Sequence, residues 1–264
     1  MIKDITLGQY LPGNSVVHKL DPRTKILIVF AYIALVFSVK TVAGYVLALA
    51  FPMVVCFISN IPLKMIVKSL KPLLFFVIFT AIINLFLTKG KVVLSFWILS
   101  ITEEGIVLTV KMALRLILLV TGTSLLTYTT SPIVLTDGIE KLLSPLSKIG
   151  VPAHEIAMMM TIALRFIPTI IDETDKIMKA QSARGSDFES GNLIRRAKAL
   201  VPILVPLFIS AFKRADDLAV AMECRCYHGG DNRTKLKTIK MTGKDFWAIL
   251  LFALVFAAGL IWGR

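Results

Sequence analysis

Ala183-Arg184-Gly185 and Cys224-Arg225-Cys226 each place an arginine between two small residues, and the two arginines stand 41 positions apart. A guanidinium presents five N–H donors in a rigid fork that matches a carboxylate. An arginine with small neighbours is therefore suited to docking in an acidic groove at close range. Each tripeptide directly follows a long amphipathic pattern, which places it at a helix C-terminus. A cation there also gains from the helix dipole, and for either tripeptide alone a solvated terminal arginine is the simpler reading. Two at matched positions point to a pair of equivalent docking tips.

Other residues that could do chemistry are few. His18, His154 and His228 are scattered and lack metal-ligand spacing. Asp172, Glu173 and Asp175 could form an acid–base or metal cluster. On an amphipathic helix they read more simply as an ion-paired, solvated face. Cys224 and Cys226 are too close in sequence for an ordinary disulfide and lack a second pair for zinc. Gly90-Lys91 and Gly243-Lys244 lack the upstream glycine and the following hydroxyl residue of a phosphate-cradling loop. The chain is expected to be non-catalytic, with no metal and no cofactor of its own.

The elements that carry the tips follow from hydropathy. Of the 264 residues 56% are hydrophobic and only 18% charged, with a mean hydropathy of +0.78. The charges gather between apolar runs, as in a polytopic membrane protein. A helix rising about 1.5 Å per residue needs about 20 apolar residues to cross about 30 Å of hydrocarbon. The pattern predicts an all-α fold with about five spans, at 26–38, 42–59, 72–87, 106–128 and 246–262. Lys40 divides the first pair. The organisation reads as 1–129 with four spans, 130–245 as a polar coupling domain, and 246–264 as the last span.

The net charge of +13 is explained by loops on one side of a bilayer, and nucleic acid is not an expected partner. Lys19, Arg23 and Lys25 precede the first span, Lys64, Lys68 and Lys71 follow the second, and residues 130–245 hold most other cations. All three regions fall on one side, the cytoplasmic one by the positive-inside rule. Lys111 and Arg115 share one face of the fourth span. Charge at membrane depth invites a functional reading, including a self-sufficient channel or secondary transporter. The alternative is that Lys111 snorkels outward and Arg115 pairs with a neighbouring helix.

Within 130–245 three helices are predicted, over 134–148, from Pro152 to about Ser182, and over 193–223. Pro145 should distort the end of the first, and Pro168 should kink or locally end the second. Ile156, Met160 and Ile167 recur at helical spacing on the second, and Leu204 and Phe208 on the third. Such a stripe is either intramolecular core or a surface for a partner's helix.

The ordered motifs resemble those of one family. His18-Lys19-Leu20-Asp21-Pro22-Arg23-Thr24-Lys25 is similar to its N-terminal motif, and Ala163-Leu164-Arg165-Phe166-Ile167-Pro168 to its central helix. Ala183-Arg184-Gly185 matches its first arginine motif. Met222-Glu223-Cys224-Arg225-Cys226-Tyr227, with Gly229-Gly230 and Arg233-Thr234, resembles the second, with Cys224 where alanine is usual. The chain resembles the transmembrane (T) component of energy-coupling factor transporters over nearly its whole length. The resemblance implies a four-part complex in the cell membrane of a prokaryote. Two ABC ATPase subunits would bind ATP and magnesium, and a separate S component would capture a vitamin or transition metal. By that resemblance Arg184 and Arg225, with their flanking residues, dock the ATPases, and the stripe of Ile156, Met160, Ile167, Leu204 and Phe208 cradles the S component.

Overall fold

The computed structural model describes residues 10–96, 99–186, 188, 192–229 and 240–263. Gly230, Arg233 and Thr234 of the second motif lie outside the described residues. The chain divides into two compact units, one formed by Gly8–Gly138 with Thr238–Arg264 and the other by Ile139–Lys237.

The first unit is a helical bundle. Helix α1 (Pro22–Ser38) starts where Asp21 accepts the Arg23 N–H at 2.9 Å and Pro22 takes the first helical position. Proline is pre-organised for that position and lacks only an N–H that would be unpaired anyway. Thr41 caps α2 (Val42–Ser59), which ends at Asn60 in the left-handed conformation. Helix α3 (Leu63–Leu70) continues through a 3-10 turn at Lys71–Leu73 into α4 (Leu74–Leu87). Strands β1 (Val92–Phe96) and β2 (Leu99–Thr102) form an antiparallel hairpin with Phe96 opposite Leu99. Thr102 caps α5 (Glu103–Thr129), whose first turn carries Glu103 and Glu104 at the positive end of the helix dipole. Helix α6 (Pro132–Leu143) follows, and α9 (Gly243–Gly263) closes the bundle.

The core joins Tyr32, Leu35 and Val36 of α1, and Val39 just past its end, to Tyr45 and Ala48 of α2, Leu118 of α5 and Phe252 of α9. The Tyr32 hydroxyl donates to the Ala48 carbonyl at 3.0 Å, so its polar atom is satisfied in an apolar site. Gly122 lets α5 approach α1, since a Cβ there would lie 2.6 Å from the Tyr32 ring. Small residues at such contacts are how membrane helices pack closely. Asp21 meets Asp245 at one end of the bundle, and Lys40 meets Gly263 at the other, so α1 and α9 run parallel.

The second unit holds a 3-10 segment (Ser144–Ile149), α7 (Ala153–Ala183) and α8 (Leu193–Glu223). The all-α architecture stands, with several boundaries revised. The run predicted at 72–87 starts as a continuous helical segment at Leu63, because Lys64 and Lys68 sit on α3 rather than in a loop. The helix predicted over 134–148 stops at Leu143 and tightens to 3-10 where Pro145 removes a backbone donor. Pro168 does not end α7, nor do Pro202 and Pro206 end α8. The hairpin was not foreseen: it lies between the spans predicted at 72–87 and 106–128, where the sequence reading assigns no element.

Among the described residues, five segments are long and apolar enough to cross a membrane: Val42–Ser59, Leu63–Leu87, Glu103–Thr129, Ala153–Ala183 and Gly243–Gly263. This set includes α7, which the sequence assigns to the polar insertion. It omits α1, which has only 17 residues yet supplies Tyr32, Leu35 and Val36 to the bundle core.

Candidate functional site

Both arginines occupy the same place in the same backbone motif. Arg184 follows the last turn of α7 with φ −86° and ψ 7°, and Gly185 then takes the left-handed conformation at φ 88°. The Ser186 N–H returns to the Gln181 carbonyl and the Gly185 N–H to the Ser182 carbonyl, each at 3.0 Å. The end of α8 repeats this. Cys226 is left-handed at φ 55°, its N–H reaches the Glu223 carbonyl at 2.8 Å, and the Tyr227 N–H reaches Met222 at 3.1 Å. The paired bonds are those of a Schellman cap, which satisfies the last carbonyls of a helix as the chain reverses hand. In each, the arginine is the residue just before the reversal. Both arginines are exposed, and among the described residues neither takes part in an ion pair.

One residue beside each arginine also sets the turn of the backbone. A Cβ at position 185 would meet nothing within 4 Å in this chain, so here glycine supplies its φ. Cys226 holds the same conformation without that freedom, at a cost of roughly 1–2 kcal/mol for a residue with a Cβ. Cys226→Gly is therefore expected to stabilise the end of α8 by about 1 kcal/mol. Slower hydrogen exchange at the amide of Tyr227, by about fivefold, would show it. Unchanged or faster exchange would refute it.

A brace links the two arms. Glu173 accepts from Arg214 Nη2 at 2.7 Å and from the Ser210 hydroxyl, and Gln181 Nε2 donates to the Pro202 carbonyl at 3.4 Å. Contacts that advance along α7 retreat along α8, so the helices pass antiparallel. Arg184 lies eleven residues beyond Glu173 (173 to 184), and Arg225 eleven beyond Arg214 (214 to 225). At 1.5 Å per residue each arm is about 16 Å long. Two equivalent tips thus stand at opposite ends of one crossing, equidistant from one charge-assisted contact. The brace accounts for Glu173 of the acidic trio, and among the described residues no group of three or more His, Cys, Asp or Glu gathers as a metal site would need.

The five stripe residues do not form the core of this unit. Ile156, Met160 and Ile167 are half-buried, while Leu204 and Phe208 are 47% and 60% exposed. The buried apolar residues of α7 and α8 are Ala153, Ala157 and Ile203. Ile203 escaped the sequence reading because α8 is apolar around most of its circumference from Leu200 to Phe212, and periodicity cannot then choose one face. An uncovered apolar surface remains on both helices.

A second cluster, at the bundle end where α1 and α9 begin, was missed. The sequence places Lys25 with Lys19 and Arg23 among the cations before the first span, and it is only 6% exposed. Its ammonium donates to the Thr129 carbonyl at 3.0 Å, the Thr130 hydroxyl at 3.1 Å and the His18 carbonyl at 3.2 Å. The Asp21 N–H donates to Asp245 Oδ1 at 2.7 Å, and Asp245 Oδ2 accepts from the Thr242 N–H and hydroxyl at 2.7 and 2.8 Å. The N-terminal motif thereby ties the end of α5 to the start of α9. His18 Nε2 donates to the Leu11 carbonyl at 3.1 Å, and Nδ1 accepts from the Ser15 hydroxyl at 2.7 Å. Burial, with Lys25 nearby, holds the His18 imidazole below its ordinary pKa, so it serves as a neutral strut. The Asp21-Pro22 capping pair was the sequence signal for this site.

The two intramembrane cations also find places. The Arg115 guanidinium lies 5.4 Å from the centre of the Phe37 ring, a cation–π contact between α5 and α1. Lys111 lines a shallow pocket with Lys91, Glu103 and Glu104 at the hairpin end of α5.

A bundle of apolar helices, joined in sequence to a pair of cation-tipped arms, defines a helical membrane protein. The family model described as CbiQ, cobalt transport protein, matches residues 13–236. The chain is 60% identical to the energy-coupling factor transporter transmembrane protein EcfT of Ruminiclostridium cellulolyticum, over 93% of this chain and 92% of that one. It is 56% identical to EcfT of Thermosediminibacter oceani, over 100% and 99% of the two chains, and 46% identical to EcfT of Bacillus subtilis over the whole of both. The chain belongs to this family, as a membrane component of an energy-coupling factor transporter.

Proposed function

We propose that the chain couples ATP hydrolysis on two ABC ATPase subunits to release of a vitamin or transition metal by an S component. Each arginine tip enters an acidic groove of one ATPase, which binds the ATP and magnesium. The apolar surface around Ile156, Met160, Ile167, Leu204 and Phe208 receives the S component. The arms and the bundle end with Lys25 face the cytoplasm across a prokaryotic cell membrane. The observation that carries this reading is the duplicated cap, with two exposed arginines in one backbone motif at equal distance from one brace.

The coupling needs contacts that differ between nucleotide states, because a ligand moves an equilibrium only by its differential affinity. Two rigid helices crossing at one ion pair supply a lever for this. Closure of the ATPase pair changes the separation of the tips, and the crossing carries that change into the apolar surface. Vesicles reconstituted with the ATPase pair, an S component and this chain should take up cargo only with ATP. Omitting this chain should abolish uptake. ATP-independent uptake by this chain alone would overturn the reading in favour of a secondary transporter.

A further inference from the structure

We infer that the membrane bundle carries a seat for one anionic phospholipid, with an acyl chain in an apolar groove and the phosphate at Lys244. The groove has a volume of about 530 Å³ and lies among α1, α2, α5 and α9, between side chains such as Ile28, Phe51, Val55, Leu126, Phe252 and Val255. Walls of that kind give water no partners, so within hydrocarbon the groove fills with an acyl chain. Among the described residues, Lys25 and Lys244 are its only charged lining residues. The Lys25 ammonium is committed to Thr129, Thr130 and His18 and offers the groove only its methylenes. Lys244 is exposed and, among the described residues, in no ion pair. The adjacent Asp245 makes no ion pair with it: its carboxylate oxygens accept from Asp21 and Thr242, and its charge acts on the buried Lys25.

Lys244 and Trp247 both line the groove in the first turns of α9, and Trp247 is 64% exposed. Tryptophan and snorkelling lysine are the side chains of the headgroup level. The groove therefore runs from an interfacial cation inward along apolar side chains, in the order of a phospholipid's own parts. Charge complementarity selects an anionic headgroup over a zwitterionic one.

The test uses Trp247 as the reporter. The full chain, with Trp97 and Trp262 replaced by phenylalanine, is reconstituted in phosphatidylcholine vesicles containing either brominated phosphatidylglycerol or brominated phosphatidylcholine. Bromine quenches tryptophan on contact. The expected result is a preference of roughly fivefold for phosphatidylglycerol at Trp247, the factor one interfacial lysine supplies. It should fall to about one in Lys244→Gln and persist in Lys64→Gln, an exposed lysine on α3. Ala248→Leu, which narrows the groove, should reduce quenching by both lipids. Equal quenching by the two lipids would overturn the proposal. Equal loss of preference in both lysine variants would replace it with diffuse attraction. Quenching by neither lipid would assign the groove to a second copy of the chain.

Discussion

The Arg184→Ala, Arg225→Ala double variant is expected to lose ATP-driven uptake and ATPase co-purification together, while the membrane bundle stays folded. Removing one partner of a buried, hydrogen-bonded guanidinium–carboxylate pair costs about 2–5 kcal/mol. Each single variant should therefore weaken its own docking at least about thirtyfold. The two tips are equivalent in backbone, so each single change should spare the other ATPase's contact yet impair coupling, which needs both. Lysine at either site keeps the charge and loses the fork, and should fall between arginine and alanine. The caps do not depend on the arginine side chains, since their hydrogen bonds run between Gln181 and Ser186 and between Met222 and Tyr227 backbones. A folding defect is therefore not expected to mimic the result. Co-purification pull-downs and uptake in vesicles measure the two effects separately. Wild-type uptake by the double variant would end the proposal that force passes through these tips.

The sequence showed the tips and their helices because those signals are local. A long 3.6-residue period followed by small-Arg-small places a helix and its end without any knowledge of neighbours. Left-handed Gly185 is also a local property. The brace was less legible. Glu173 sits in a run of three carboxylates, and nothing in that run says which one will meet Ser210 and Arg214 some forty residues later. Lys25 shows the same limit more sharply. Beside Lys19 and Arg23 it reads as one more cation before a span, and its burial is decided by carbonyls at Thr129 and His18 that only the packed bundle brings together. Long apolar helices pose the converse difficulty. Hydropathy gave α8 too many inward candidates, and which one is buried, Ile203, is decided by packing and not by period. The α1 helix was legible despite its 17 residues because the charges on either side framed it.

Lys25 carries the second large expected effect. Lys25→Met keeps the length and most of the apolar stem while removing the ammonium. Two buried acceptors, the Thr129 carbonyl and the Thr130 hydroxyl, then lose their donor, and the His18 carbonyl loses its own. A buried polar group left unpaired costs about 1–3 kcal/mol, so the bundle should lose on the order of 2–5 kcal/mol. The loss should appear as a lower unfolding temperature in detergent, followed by size-exclusion chromatography after heating. Lys19→Met is the matched control, since Lys19 is exposed and belongs to the same motif. If the motif served only to fix orientation through its positive charge, both variants would alter insertion alike and neither would alter heat resistance. If Lys25 ties the end of α5 to the N-terminal segment, only Lys25→Met melts early. Equal melting of Lys25→Met and the unmodified chain would reduce the cluster to a topology signal.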